Sequence, residues 1–389
     1  MREDISHRSR VWPVAAGGAL AMAVAMGIGR FALTPILPWM MEALDLDARR
    51  AGLIASANFV GYLAGALIGT TSLVVRRRST WYLAGLAASV ATTAGMGLSG
   101  DLVFLMAVRF VAGVASAFIL VAVLGIVFDA LAAADRLDLA AVHFAGVGAG
   151  ITISALAVPV LVAAGMDWRG LWAGSGLLAA AAALPAAWLV ARAPGDAPVE
   201  VARPARIAPD RPVVLLSLAY GLFGYGYSVT ATFLVTIARR QAQSDWLEPI
   251  VWVMVGLAAI PSVGLWRRAT RRIGALRGMA LACLVEAAGV AASVTTPPIV
   301  GLTLGGLLLG GTFVAITALG LASARALRPR AATQVMALVT AAFGTGQILG
   351  PIAAGILADM SGSFLLPSLS AAAMLLIAAA LAWRLDPQR

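Results

Sequence analysis

Long apolar runs separated by short polar or arginine-bearing breaks dominate the pattern along the 389 residues. A helix needs about 20 mostly apolar residues to cross a bilayer. Runs of that kind lie at 12–40, 51–73, 81–99, 102–128, 140–164 and 170–191, then at 213–238, 247–266, 278–295, 299–324, 335–359 and 364–383. A polar, proline-containing stretch, 192–212, separates the two sets. The pattern predicts an all-α integral membrane protein of twelve transmembrane helices. Its expected organisation is a six-helix N-terminal bundle (1–191), a linker (192–212) and a six-helix C-terminal bundle (213–389). The run after Met1–Arg10 outlasts the short apolar core of a secretory signal and continues to Met40, so it reads as a retained first span.

Composition agrees with lipid as the main solvent. Hydrophobic residues make up 61% of the chain and charged residues only 12%, too little charge to cover a soluble protein of this size. The 41 glycines suit closely packed membrane helices. The single cysteine, Cys283, excludes an intrachain disulfide, and two histidines, His7 and His143, argue against a His-based metal site. No cofactor is expected.

The formal charge of +10 would point to nucleic acid in a soluble protein, but all 28 basic residues are arginine and they alternate between loops. With both termini cytoplasmic, 21 fall inside, five outside (Arg49, Arg50, Arg169, Arg239 and Arg240) and two within spans. This is the positive-inside pattern, and no polyanion partner is needed to explain it. Trp12, Trp39, Trp81, Trp168, Trp246, Trp266 and Trp383 fall at predicted span ends, as an interfacial belt. The expected location is an inner membrane, multi-pass, with lipid as the surrounding partner.

The halves repeat at an offset of about 195–198 residues. GIGR at 27–30 aligns with GYGY at 224–227, and FVG at 59–61 with MVG at 254–256. Arg76-Arg77 aligns with Arg271-Arg272, AFILVAVLG at 117–125 with TFVAITALG at 312–320, and FAGVGAG at 144–150 with FGTGQILG at 343–350. Here the sequence resembles the major facilitator superfamily (MFS) over nearly its whole length. The loop GTTSLVVRRR (69–78) is similar to that superfamily's loop between the second and third helices, with Leu73 in place of the usual aspartate. RFVAG (109–113) is similar to its fourth-helix motif. GIGRFALTPILPWM (27–40), YGLFGYGYSVTATFLVTIAR (220–239), GGTFVAITALGLASAR (310–325) and FGTGQILGPIAAG (343–355) resemble the YbfB/YjiJ-like branch. The resemblance implies the MFS fold, with two pseudo-symmetric bundles, and a transport role. It also implies a gate at Arg76, Arg77 and Arg78; where the motif aspartate is missing, Asp129, Asp135 and Asp138 read either as alternative acid partners or as part of a solvated charge cluster.

Charges within spans are costly and tend to face the bundle interior. Arg30 and Arg109 both lie about 7 Å outward of the midplane by helical rise, and Asn58 falls at similar depth. Two readings stand for the arginines: snorkelling or capping of backbone carbonyls, and binding of an anionic group, which a planar always-charged fork suits. Phe31 and Thr34 neighbour Arg30. The C-terminal half offers Tyr227, which aligns with Arg30, and Tyr220, Phe223, Tyr225, Thr312, Phe313 and Gln347. Glu286, mid-span in the ninth helix, reads either as a proton carrier or as a protonated, locally hydrogen-bonded acid with no transport role. No nucleotide, nucleophile or metal motif is present, so no enzyme activity is expected.

The favoured reading is a monomeric secondary transporter working by alternating access, moving a small organic anion by symport or exchange, coupled to a proton or a counter-anion. An exporter of hydrophobic compounds is the alternative, and a non-transporting membrane sensor a third.

Overall fold

The structure, a computed structural model, describes residues 2–69, 71–193, 210–241 and 246–385, without the side chains of 2–10, 72 and 137. Most of the expected linker at 192–212 therefore lies outside the described residues. Those residues form helices and turns and no strand. The first half runs α1 (Arg2–Met22), α2 (Leu33–Ala43), α3 (Ala48–Gly69), the single turn α4 (Ser72–Val75), α5 (Arg78–Gly95), α6 (Leu102–Ala133), α7 (Ala140–Ala163) and α8 (Trp168–Val190). The second half runs α9 (Arg211–Gln241), α10 (Leu247–Ile273), α11 (Ala275–Thr295), α12 (Pro298–Leu327), α13 (Ala332–Ser361) and α14 (Leu365–Arg384).

Together α1 and α2 make the first span, so the chain crosses twelve times as two six-helix bundles. Eleven spans are long and apolar enough to cross a membrane by length and composition. The twelfth, α5, has a Ser- and Thr-rich sequence (RSTWYLAGLAASVATTAG) and packs against α6 and α8. Several helices outrun their apolar segments: α6 continues to Ala133 and α10 to Ile273. Helix propensity of arginine and alanine carries the ladder on into the boundary region. Asp101 and Asp167 start α6 and α8 by accepting from Phe104 N at 2.8 Å and Gly170 N at 2.9 Å.

The first span differs from the run, interrupted by Arg30, that the apolar pattern predicts. A π-helical turn occupies Ala23–Ile28, where Gly29 N reaches Val24 O at 2.8 Å and Phe31 N reaches Met26 O at 3.1 Å. Thr34 N then tightens onto Phe31 O at 3.2 Å. Pro35 has no N–H for that carbonyl, so the helical register cannot pass through unchanged. The wide turn and the tight turn together re-aim Arg30.

The bundles meet most closely towards the arginine-poor face. There α3 packs on α13 and α2 on α9, while α7 and α10 cross deeper, at Gly148 and Gly256. Gly52 lies against the Pro351 carbonyl and Gly355 against the backbone of Ala48 and Arg49, where any Cβ would collide. Asp359 of α13 caps α3 from the other half, accepting from Ala48 N at 3.0 Å and Arg49 N at 2.8 Å. Ser56 Oγ donates to Ile348 O at 2.8 Å, and Thr34 Oγ1 to Ala231 O at 2.6 Å. Arg239 at the end of α9 lies over the Trp39 ring at 4.0 Å, between Glu42 at 3.5 Å and Glu248 at 3.6 Å. These contacts form a seam on the arginine-poor side, beside a cavity of about 340 Å³ among α2, α7, α9 and α10.

Candidate functional site

On the other side of these contacts, a cavity of about 130 Å³ lies between the halves. Its inner end holds Arg30, Phe31, Tyr62, Tyr227 and Phe313, and its walls run past Leu124, Leu321 and Thr340 towards the arginine-rich face. Most of the wall is apolar, with Met22, Met26, Leu120, Phe144 and Val147 contributed by the first half.

Arg30 is 6% exposed. Its guanidinium lies 4.5 Å from the Phe59 ring centre, 4.6 Å from that of Tyr62 and 5.9 Å from that of Phe31. Phe59 and Tyr62 are three apart on α3, so one helix face presents both rings. The cation–π cradle stabilises the charge within the span. Its one hydrogen bond is weak, from Nη1 to Met26 Sδ at 3.6 Å, and Nε and Nη2 have no acceptor. A smaller void of about 20 Å³, lined by Arg30, Arg109, Phe59 and Thr34, lies against the same guanidinium.

Arg109, 2% exposed, is engaged differently. It donates from Nη1 to Gly29 O at 3.0 Å and from Nη2 to Arg30 O at 3.1 Å. These are carbonyls at the break in the first span, so Arg109 braces the turn that presents Arg30. Asn58 supports the next layer, donating from Nδ2 to Arg109 O at 3.0 Å. Of the three polar groups expected at this depth, Arg30 has only the Met26 sulfur as acceptor, whereas Arg109 and Asn58 bond backbone and each keeps one atom, Nε and Oδ1, without a partner.

The second half contributes rings. Tyr227 is stacked with Phe223 at 5.3 Å, Phe343 at 5.7 Å and Phe313 at 5.9 Å, with interplanar angles of 26°, 9° and 10°. Tyr220 continues the stack, 4.7 Å from Phe343. Gln347 donates to the Tyr227 hydroxyl, while its own Oε1 has no partner. Phe31 meets Phe313 edge-on at 5.7 Å and joins the two surfaces. Tyr225 lies elsewhere: its hydroxyl meets Ser370 Oγ at 3.2 Å on α14, away from the cavity. Thr34 lies in the closed seam rather than on the ring stack.

Glu286 is fully buried, with Oε2 2.8 Å from Thr312 Oγ1 and Oε1 without a partner. Thr312 Oγ1 also lies 2.6 Å from Leu308 O. One hydroxyl proton cannot serve both acceptors. At the arginine-rich face, Arg78 donates to Asp129 at 2.7 Å, and Arg76 and Arg77 are exposed. Asp138 pairs with Arg136 at 2.9 Å, and that hydrogen bond holds its carboxyl below the usual carboxylate range. Among the described residues no group of three His, Cys, Asp or Glu side chains converges as a metal site would require.

Phe59, Tyr62 and Phe343 were not among the residues singled out from sequence, nor were Glu42 and Asp359. Their signal is relational: the rings share helix faces with Asn58 and Gln347, and the acids matter only against the other half.

A family model described as "Uncharacterised MFS-type transporter YbfB" matches residues 22–383. The chain belongs to this family. Membership makes it a multi-pass membrane protein of a secondary-transporter superfamily, built to pass a small molecule through the membrane. Solved structures carry the same fold. The nucleoside transporter NupG matches with a TM-score of 0.72 at 15% identity, over 98% of this chain and all (100%) of that one. A bacterial homologue of the human lysosomal transporter Spinster, in an inward-facing and unoccupied conformation, matches with a TM-score of 0.69 at 14% identity, over 97% of this chain and 96% of that one. No curated protein matches the sequence.

Proposed function

We propose that this transporter moves a small organic anion with an apolar or aromatic body, by alternating access around the cavity at Arg30. The observation that carries the reading is the Arg30 guanidinium itself. It is buried, it faces aromatic rings instead of a carboxylate, and two of its nitrogens have no acceptor. An unpaired buried cation is unfavourable, and a carboxylate or phosphate offers the missing charge and acceptors together. The stacked rings of Tyr227, Phe343 and Phe313 suit the body of the same ligand.

Orientation follows the arginines: termini and cavity mouth are cytoplasmic, the closed seam periplasmic, and the protein works as a monomer in an inner membrane. This resting arrangement would release substrate inward or load it for export. The division at 192–212 separates the rocking halves. Coupling runs through Glu286, whose carboxyl proton serves the contact with Thr312 when the threonine proton goes to Leu308 O, with counter-anion exchange as the other route. Arg78 and Asp129 hold the cytoplasmic loop.

A second reading, an exporter of hydrophobic compounds, is favoured by the methionines and leucines of the cavity wall. A stabilisation screen of the purified protein separates them. Aromatic and aliphatic carboxylates, nucleosides and neutral hydrophobic compounds are compared on wild type and Arg30→Gln. Stabilisation by carboxylates that vanishes in the variant is the expected result. Stabilisation by neutral compounds alone, unchanged in the variant, would overturn the anion reading.

A further inference from the structure

A larger cavity, about 850 Å³, lies well away from Arg30 at the arginine-rich face of the second half. It opens among the ends of α9, α11, α12 and α14, and the transport cycle leaves it without a role. Three of its described lining residues are arginines: Arg211 in the first turn of α9, Arg277 in the first turn of α11 and Arg384 in the last turn of α14. None of the described lining residues is acidic. The rest of the wall is apolar, with Leu215, Leu327 and Leu381 facing the arginines.

A second observation points to a ligand. Ser323 on α12 lines the cavity, is 3% exposed, and its hydroxyl has no hydrogen-bond partner. Buried hydroxyls are normally paired, so this one marks a place for an acceptor or donor from outside the chain. Gly274, with φ +84°, makes the tight turn that leads into α11, and no side chain caps that helix. Its first-turn amides therefore add positive potential to the same opening.

We propose that this cavity binds one anionic phospholipid, its phosphate among Arg211, Arg277 and Arg384 and its first acyl carbons against the leucines. The position decides between an amphipath and a free anion. The arginines stand at the ends of spans, where headgroups lie, and the apolar walls lead from them into the bundle's flank. Basic pockets between membrane helices at a polar boundary recognise anionic headgroups in this way. A free phosphate would leave the apolar wall without use.

The full chain is reconstituted in phosphatidylcholine nanodiscs with and without phosphatidylglycerol. Native mass spectrometry counts retained lipid, and thermal unfolding reads stabilisation. Wild type should retain phosphatidylglycerol and gain stability from it. Each of Arg211→Gln and Arg384→Gln should weaken retention about fivefold while unfolding normally in phosphatidylcholine alone. Ser323→Ala should weaken it without changing net charge. The proposal is overturned if the variants retain the lipid like wild type. It is equally overturned if inorganic phosphate reproduces the stabilisation in phosphatidylcholine discs. The proposal also fails if wild type ignores the lipid.

Discussion

Arg109 on α6 donates to the backbone carbonyl of Arg30 at 3.1 Å, so one intramembrane arginine holds the other in place through its main chain. With the bond to Gly29 O at 3.0 Å, the planar fork spans both carbonyls at the break. Removing it leaves two buried acceptors at a point where no water or lipid can replace the donor. Arg109→Leu is expected to cost about 2–4 kcal/mol, seen as a lower unfolding midpoint with or without ligand. Arg109→Lys should recover only part, since an ammonium does not match the fork. An unchanged midpoint in Arg109→Leu would show that the break holds itself.

Arg30 should behave in the opposite way. It lacks a carboxylate, and its contacts are ring faces and one sulfur. Arg30→Gln should therefore leave unfolding unchanged or slightly later, while anion affinity falls about tenfold to a hundredfold, the range for a charge-assisted hydrogen bond. Binding measured by calorimetry on both proteins checks this. Equal affinities would remove Arg30 from the site.

The contrast between these two arginines shows how far a sequence alone reaches here. Span number, the repeat and the arginine asymmetry are carried by run length and loop composition, which need no tertiary information. The break in the first span is different: residues 23–34 read as one span interrupted by Arg30 near two helix-bending prolines, and only the backbone bonding before Pro35 separates π turn from tight turn. Tyr225 and Tyr227 illustrate the same limit on a smaller scale. Two residues apart on a helix, they point to nearly opposite faces, so Tyr227 lines the cavity while Tyr225 meets Ser370. The cross-half partners Asp359 and Arg239 become visible only when the bundles are brought together.

Tyr227 tests the body of the ligand. Its ring belongs to a near-parallel stack with Phe313 and Phe343. Tyr227→Leu should weaken binding of an aromatic carboxylate about twofold to tenfold and leave an aliphatic carboxylate of equal length almost unaffected. Tyr227→Phe keeps the stack and removes the Gln347 contact, so it separates ring from hydroxyl. Equal losses for both ligand types would show that the ring only supports the cavity wall.

Glu286 is the test of coupling. Gln in its place can donate its amide N–H to Thr312 but cannot exchange a proton. In proteoliposomes, Glu286→Gln should bind ligand normally and lose proton movement accompanying substrate. Proton flux equal to wild type would leave counter-anion exchange as the coupling route.

The seam on the arginine-poor side sets which conformation dominates. Asp359 caps the start of α3 across the halves, a contact worth about 1 kcal/mol. Arg239 is partly exposed, and after solvent screening its cross-half pair with Glu42 adds about 0.5–1 kcal/mol. Both are lost when the seam opens, so removing them should move the closed-to-open ratio by about tenfold to thirtyfold. The single native cysteine, Cys283, is buried, and Cys283→Ser gives a clean background. Thr34→Cys then reports from within the seam, where Thr34 now meets Ala231 O. Labelling by an impermeant thiol reagent added from the arginine-poor side should be slow in that background. It should accelerate in Asp359→Ala with Arg239→Gln. Unchanged labelling would mean that the glycine crossings at Gly52 and Gly355, rather than the charged contacts, keep this side shut.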